Sequence, residues 1–422
     1  MSFETISVIG LGYIGLPTAA MFASRKKKVI GVDVNQHAVD TINQGKIHIV
    51  EPDLDMIVHS AVTEGYLKAV TTAEPADAFL IAVPTPFLPC EEGEIPEPDL
   101  SYIQSACNGI APVLKNGDLV ILESTSPVGA TEQVAEWLAD ARPDLSFPQT
   151  AGNEADVNVA HCPERVLPGH VVRELVDNDR VIGGMSSRCS ERSVELYKTF
   201  VQGECLITNA RTAEMAKLTE NSCRDVQIAF ANELSVICDK LDIDVWELIA
   251  LANRHPRINI LQPGPGVGGH CIAVDPWFIV SKTPDEAQLI HTARKVNDAK
   301  PEWVINKVKL AIVDFLQANP NKTAKDVTIA CYGLAFKPDI DDLRESPALR
   351  ITKQISGMHV GSVIAVEPNI KKIPISNNNI ELVSTEFAFN KANVHVLLVD
   401  HQEFKSIRPK NGFLIDTKGI WG

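Results

Sequence analysis

The sequence predicts an α/β protein with two Rossmann-like parallel sheets joined by a central helical domain. Three observations predict it. β-Branched runs alternate with helical stretches over the first 200 residues and again after Asp326. A glycine-rich turn lies between the first such run and a helix. Residues 211–241 contain neither glycine nor proline. A chain of 422 residues exceeds one ordinary core. These signals divide it at 1–205, 206–320 and 321–422.

The bulk properties narrow the function. Lys plus Arg is 39 and Asp plus Glu is 54, a net charge of −15. Such a surface repels nucleic acid and anionic membrane, so neither is expected as a partner. A site for an anionic ligand must therefore gather its few basic residues locally. The nine cysteines form no Cys-x-x-Cys pair and no zinc spacing, so reduced thiols of a cytoplasmic protein are expected, and no metal. Residues 5–24 are uncharged and long enough to span a membrane. The motif inside them argues instead for a folded domain without membrane insertion.

That motif is "GLGYIG", which follows the strand-like "TISVI" and precedes the helical "LPTAAMFASR". Gly10, Gly12 and Gly15 stand in G-x-G-x-x-G spacing. Gly10 permits the tight turn, Gly12 lets backbone approach a pyrophosphate, and Gly15 lets helix and strand pack closely. The helix start offers N–H groups to phosphate. The next strand, "KVIGVD", ends at Asp33, placed to accept hydrogen bonds from ribose hydroxyls. A carboxylate there favours NAD over NADP. "AFLIAVPTP" (78–86) and "LVILEST" (119–125) read as doubly buried strands, with Thr85 and Thr125 near their carboxyl ends. "VNVAHCPERVLPG" and "DRVIGG" complete this sheet, and the acidic, proline-rich 89–99 reads as an exposed loop.

The middle of the chain reads as a long, largely buried helix over 211–241 and a second over 244–255 with Asp244 as N-cap. A third runs from about 285 to 319, broken or kinked at Pro301. So much apolar helix predicts burial against a second subunit. Lys217, Asn221 and Arg224 share one face of the first helix. They are a functional stripe, a solvated edge or an interdomain salt bridge. The second sheet is read from "VTIACYGLAFK", "SVIAVEP", "VHVLLVD" and "GFLID". "GLAFKPDIDDLRESPA" stands where a dinucleotide fingerprint would, so this sheet binds something else or nothing.

"GPGVGGHCIAVDP" (264–276) ends a glycine-rich loop at Cys271. A lone cysteine is usually a small core hydrophobe, and Cys223, Cys238 and Cys331 read that way. Cys271 instead lies between His270 and Asp275, outside any apolar period. An alcohol needs only NAD and a base to become an aldehyde. An aldehyde needs a nucleophile to become a carboxylate: a thiolate adds, hydride leaves, and water cleaves the thioester. A cysteine beside an NAD domain thus suggests a carboxylate product. The glycines would keep side chains away from the substrate.

"SVIGLGYIGLPTAA", "ILESTSPVGATE", "CPERVLPG", "RTAEMAKLTENSCRDVQIAFANELS", "RHPRINILQPGPGVGGHCIAVDPWF" and "GLAFKPDIDDLRESPA" together resemble the UDP-glucose/GDP-mannose dehydrogenase family over essentially the whole chain. The resemblance implies a twofold oxidation of C6 of a nucleotide-linked sugar with two NAD. It implies an NAD domain, a helical dimerisation core and a UDP-sugar domain. Residue by residue, it makes Cys271 the nucleophile and Lys217 and Asn221 the catalytic pair. Asp275 would position water, Glu164 would serve thioester hydrolysis, and Thr125 would lie in the active site. Tyr13, Ile14, Asp33, Thr85 and Thr125 match NAD contacts. Arg165, Val166, Lys217, Asn221, Arg224, His255, Gly268, Phe336, Lys337 and Arg344 match substrate contacts, with Lys418 a further one. Arg257 matches an arginine that reaches the neighbouring subunit's substrate in a homodimer. Val274 departs from the lysine usual in UDP-glucose dehydrogenases, and the N-acetyl-sugar branch commonly differs there. Two rivals remain at this point: a two-electron β-hydroxyacid dehydrogenase with an idle cysteine, and a non-catalytic nucleotide-binding regulator.

Overall fold

The apolar runs of the first half form one eight-stranded sheet. Its strands are β1 (Thr5–Ile9), β2 (Lys28–Val32), β3 (Leu67–Val70), β4 (Ala78–Ile81), β5 (Leu119–Leu122), β6 (Asn158–His161), β7 (Arg180–Gly184) and β8 (Cys205–Asn209). The order is β3-β2-β1-β4-β5-β6-β7-β8. This computed structural model describes residues 3–91, 93–167, 169–269, 271–372 and 380–422. The described chain divides into two compact units, 1–220 with 277–282, and 221–276 with 283–422.

Alternation explains why the central strands read as continuous apolar runs. Ile6, Val8 and Leu80 face one core with Leu16 and Phe22 of the helix Gly15–Ser24. Ile9, Phe79, Ile81 and Val120 face another with Ile103, Val134 and Leu138. Helices cover both faces, so both sets must be apolar. The edge strands β3 and β8 escaped the sequence reading because half or more of their residues are not buried.

One pairing departs from the expected parallel sheet. β7 runs antiparallel to β6, with Ala160 opposite Gly184 and His161 opposite Gly183. β7 and β8 are parallel to each other. Among its described residues the segment between β6 and β7 holds only the short helix Val171–Asp177, and the chain returns without a crossover.

The second unit contains β9 (Thr328–Tyr332), β10 (Ser362–Val366), β11 (Ile380–Leu382), β12 (Val394–Leu397) and β13 (Phe413–Asp416). Their order is β11-β10-β9-β12-β13, all parallel. The chain winds outward on both sides of β9 as it does on both sides of β1. The strand order therefore reverses beside β9, where open α/β sheets offer a crevice. β11, again an edge strand, was not anticipated.

Three expectations about the helices need correction. The helix Ala210–Leu241 is not largely buried. Glu214, Ser222, Asp225, Asn232 and Ser235 are buried, while Met215, Phe230, Ile237 and Leu241 are exposed. Glu214, Asp225, Asn232 and Ser235 face inward because they bond to neighbours, while the four large apolar side chains are left outside. Of the break or kink expected at Pro301, the break is absent: the helix runs unbroken from Gln288 to Ala318. The proline ring is buried beside Gly266, where a Cβ would come within 3.3 Å of it. Cys223 is exposed, whereas Cys238 and Cys331 are buried. The Asp244 N-cap is present, its side chain accepting from the Trp246 and Glu247 N–H groups.

A buried polar chain joins the long helices within the second unit. Arg294 Nη1 donates to Asp225 Oδ1 at 2.6 Å, and Asn297 Nδ2 to the same oxygen at 2.8 Å. Asn232 Nδ2 donates to Asn297 Oδ1, and Asn232 Oδ1 accepts from the Gly264 N–H. Burial pushes the Asp225 carboxyl up, and Arg294 opposes that shift. Arg294→Met should therefore cost about 3–5 kcal/mol in urea unfolding, because it strands a buried carboxylate. Arg294→Met with Asp225→Leu should recover much of that loss.

Candidate functional site

The fingerprint glycines have the geometry their spacing implies. Gly10 has φ +90°, and a Cβ there would lie 2.6 Å from the Ala82 carbonyl oxygen. A Cβ at Gly15 would lie 1.8 Å from the Gly10 oxygen, so the helix can close on the turn only as glycine. Nothing stands within 4 Å of a Cβ at exposed Gly12, which leaves room for a pyrophosphate. Tyr13 and Ile14 are half-buried at the start of the helix. Asp33 does more than the sequence suggested: Oδ2 accepts from the Leu11 N–H and Oδ1 from the Asn35 N–H, both at 2.8 Å. It fixes the glycine turn and keeps lone pairs for ribose hydroxyls. Thr85 Oγ1 is buried without a hydrogen-bond partner among the described residues. An orphaned hydroxyl and an open glycine cradle at one sheet edge fit a dinucleotide.

Thr125 is half-buried just beyond β5. Ser124 Oγ bonds the Val83 carbonyl, and Ser126 Oγ bonds the Ser124 carbonyl, so Thr125 sits in a pinned loop. Glu214, which the sequence reading missed, holds the turn beyond that loop. Its carboxylate accepts from Gly129 N, Thr131 N and Thr131 Oγ1 at 2.7, 2.8 and 2.6 Å. It caps the helix Ala130–Ala141 and lies three residues before half-buried Lys217 on the same helical face. The signal was in "RTAEMAKL": a second charged residue in register with the polar stripe.

Glu164 is buried beyond β6. Its Oε1 accepts the Arg165 N–H at 2.7 Å, and its Oε2 lies 2.8 Å from Arg180 Nη1. Arg180 is buried too, 3.9 Å from Glu123 Oε1, which accepts from Tyr197 Oη at 2.7 Å. Burial pushes Glu123 up to about 7. Arg165 binds Glu220 at 2.7 Å and the Asp179 carbonyl, and Val166 packs on the core. Arg180 and Glu123 were missed because only tertiary pairing reveals them.

The second unit assembles the remaining candidates. Asn221 Nδ2 donates to buried Asp275 Oδ2 at 2.5 Å. Cys271 is half-buried in the turn before the helix Asp275–Lys282, and its carbonyl accepts the Asp275 N–H at 2.8 Å. His270 lies outside the described residues. The glycines before it have a packing reason that the sequence did not show. A Cβ at Gly268 would meet Glu345 O at 2.6 Å, Pro347 Cδ at 2.7 Å and Phe336 Cβ at 2.8 Å. Gly269, at φ +81°, would meet the Phe336 ring at 3.0 Å. The loop is glycine so that it can lie on residues 336–347. That contact brings Gly268, Phe336 and Arg344 together, and a Cβ at Gly264 would lie 3.7 Å from Lys418 Nζ. Arg344 is forked on Asp342, and Lys418 pairs with Asp400. Lys337, Arg224, His255 and Arg257 are exposed. Asn253 braces the His255 and Arg257 loop through two bonds to Ile260.

Two measurements test this geometry. Glu123 holds in the folded chain a proton that the unfolded chain releases from about 4.5 upward. Its contribution to stability is thus present at low pH and lost as pH rises through about 7. Relative to wild type, Glu123→Gln should gain stability across that window, by up to about 3 kcal/mol. Equal pH dependence in urea titrations would contradict the assignment. At Asp33, the carboxylate should make kcat/KM for NAD exceed that for NADP, and Asp33→Asn should narrow the ratio roughly tenfold or more, since a close pair of like charges costs about 1–4 kcal/mol.

Comparisons with known proteins agree with the geometry. The chain matches the NAD-binding domain of the UDP-glucose/GDP-mannose dehydrogenase family over residues 4–201, its central domain over 211–299 and its UDP-binding domain over 330–422. The UDP-N-acetyl-D-mannosamine dehydrogenase of Yersinia pestis is 67% identical, covering 100% of both chains. The NDP-N-acetyl-D-galactosaminuronic acid dehydrogenase of Ralstonia nicotianae is 62% identical, covering 100% of this chain and 97% of its own. A solved structure of the UDP-D-ManNAc dehydrogenase of Pyrococcus horikoshii is similar at TM-score 0.86 and 37% identity, covering 99% of this chain and 96% of its own. No helix among the described residues is long and apolar enough to cross a membrane. The chain is an oxidoreductase that uses NAD, and it belongs to the UDP-glucose/GDP-mannose dehydrogenase family.

Proposed function

We propose that this enzyme oxidises C6 of UDP-N-acetyl-D-mannosamine to the carboxylate, removing four electrons per sugar. The full-length 67% identity to the Yersinia pestis enzyme of that name carries the choice of sugar. The Ralstonia nicotianae relative, at 62%, is named for a galactosaminuronic acid, so UDP-N-acetyl-D-galactosamine belongs in the test beside UDP-N-acetylglucosamine and UDP-glucose. Residues 1–205 would hold NAD, 206–320 would form the dimerisation core, and 321–422 would take the UDP-sugar. The exposed Met215, Phe230, Ile237 and Leu241 support a homodimer, with Arg257 reaching the neighbour's substrate. The enzyme would work in the cytoplasm and supply an acidic sugar for a surface polysaccharide.

NAD, which Gly10, Gly12, Tyr13, Ile14, Gly15, Asp33, Thr85 and Thr125 would hold, would supply the hydride acceptor twice per sugar. Lys217 and Asp275 hold a water that takes the C6 hydroxyl proton as the alcohol becomes an aldehyde. Asn221, donating to Asp275, keeps that carboxylate oriented. The Cys271 sulfur adds to the aldehyde carbon, and the resulting thiohemiacetal loses its hydride to leave a thioester. Glu164 takes a proton from the water that attacks the thioester, releasing the acid and the thiolate. Phe336, Lys337, Arg344 and Lys418 hold the nucleotide, while Arg165, Val166, Arg224, His255 and Gly268 fit the sugar and its phosphates.

Counting products tests this. Wild type should make two NADH and one uronic acid per UDP-N-acetyl-D-mannosamine, faster than with the other sugars. Acid quenching during turnover should leave a sugar adduct on the Cys271 peptide by mass spectrometry. Cys271→Ala should form no acid, and Cys271→Ser should bind both ligands nearly normally yet stall at the aldehyde or at acyl release. Lys217→Ala should slow turnover by about 10²–10⁴-fold, the usual contribution of an acid–base group. Two NADH and a uronic acid from Cys271→Ala would sink the mechanism.

A further inference from the structure

Behind Glu164 lies a buried charge cluster that the reaction just described does not use. β7 opposes β6 with one step forward on one strand matching one step back on the other. Continued past His161 and Gly183, that register sets Glu164 opposite Arg180. The antiparallel reversal thus brings the first residue of β7 to the edge where β5 and β6 end. A parallel β7 would begin at the opposite edge. Glu123 leaves β5 at the same edge.

The guanidinium serves two carboxylates, Glu164 at 2.8 Å and Glu123 at 3.9 Å. Its carbon lies 4.8 Å from the Tyr197 ring centroid and 5.9 Å from that of Phe200. Cys162, Tyr197 and Cys205 also face the cluster, and burial raises all three. Arg180 Nη1 and Nη2, Glu164 Oε2 and Glu123 Oε2 are all buried without a hydrogen-bond partner among the described residues, so the guanidinium meets both acidic groups through charge alone. The fork is therefore not occupied by backbone carbonyls. A buried pair this demanding does not stabilise a fold better than apolar packing would. Its position directly behind Glu164 suggests another use.

We propose that Arg180 is a positioning residue for Glu164, fixing where its carboxyl group stands for acyl release, with Glu123 as the second acidic side chain that fixes the guanidinium. This rests on the role proposed for Glu164 in thioester hydrolysis. Arg180 acts through Glu164 and touches neither sugar nor cofactor.

A double-mutant cycle on the full-length enzyme tests it, reading acyl release by single-turnover quench and KM by steady state. Glu164→Gln should slow release about 10²-fold or more. Arg180→Gln combined with Glu123→Gln removes the guanidinium without stranding Glu123, and its folding is checked by NAD binding and thermal unfolding. It should slow release roughly 10-fold or more, accumulate the Cys271 adduct, and leave KM for the sugar within about twofold. Arg180→Lys should restore most of the rate. Added to Glu164→Gln, the Arg180 and Glu123 changes should slow release by less than about threefold, because groups acting through one another are not additive. Equal slowing in both backgrounds would make Arg180 merely structural and overturn the proposal. Normal release by Glu164→Gln would instead remove Glu164 from catalysis, a distinct result that overturns both.

Discussion

Each sheet depends on one carboxylate placed just past its second strand. In the first, Asp33 follows β2 and accepts the Leu11 N–H at 2.8 Å. In the second, Glu367 follows β10 and accepts Leu334 N and Ala335 N at 2.7 and 3.1 Å. The turns they hold are built alike. Gly10 and Gly333 both lie in the left-handed region, at φ +90° and +89°. Their N–H groups return to the Val32 and Val366 carbonyls at 2.8 Å. Backbone donors leaving a buried strand need acceptors, and an ionised carboxylate is a strong one. Burial works against ionised Glu367, but bonds from His401, Leu334 and Asn369 outweigh it and hold the carboxyl low. Residues 10–14 and 334–337, which carry the candidate ligand contacts, stand on these two anchors.

This shared device was only half legible. In the first sheet the glycine spacing announces the turn, and the acid at the end of the next strand completes the pattern. In the second, "GLAFK" has a single glycine and Glu367 sits in "AVEPN", so the same construction leaves no spacing to recognise. Central strands were legible because burial on both faces makes them apolar throughout. β3, β8 and β11 were not, because an edge strand can leave residues exposed and still pair. The direction of β7 was beyond reach, since "DRVIGG" reads the same either way. Only the connection from β6 decides it, and that decision brings Arg180 to Glu164.

The glycine loop shows the same division at the candidate site. Its unusual composition was legible, and so was the isolation of Cys271 from any apolar period. The reason for the glycines was not. The atoms that exclude a side chain at Gly268 belong to Phe336, Glu345 and Pro347, more than sixty residues on. The Asn232 side chain that accepts the Gly264 N–H lies thirty-two residues back. Asn232 in turn is held by Asn297, and Asn297 by Asp225. A helix that buries asparagine and aspartate while exposing phenylalanine defeats a reading by hydrophobic period. What the polar residues do there is carry a hydrogen-bonded chain from Arg294 to the loop ending at Cys271.

The acidic charge of the chain adds a last constraint. Three basic residues proposed to meet the sugar nucleotide already hold carboxylates: Arg165 with Glu220, Arg344 with Asp342 and Lys418 with Asp400. All six side chains keep a fifth or more of their exposure, and ion pairs at such positions contribute little stability. They can orient a cation and still yield it to a diphosphate at small cost. Arg224, Arg257 and Lys337 carry no ion pair among the described residues. The buried pairs behave oppositely. Arg180 with Glu164, and Arg294 with Asp225, could part only by leaving a charge unsolvated. The chain thus separates two kinds of cation: exposed ones that can exchange a carboxylate for an anionic ligand, and buried ones that fix the Glu164 side chain or a loop.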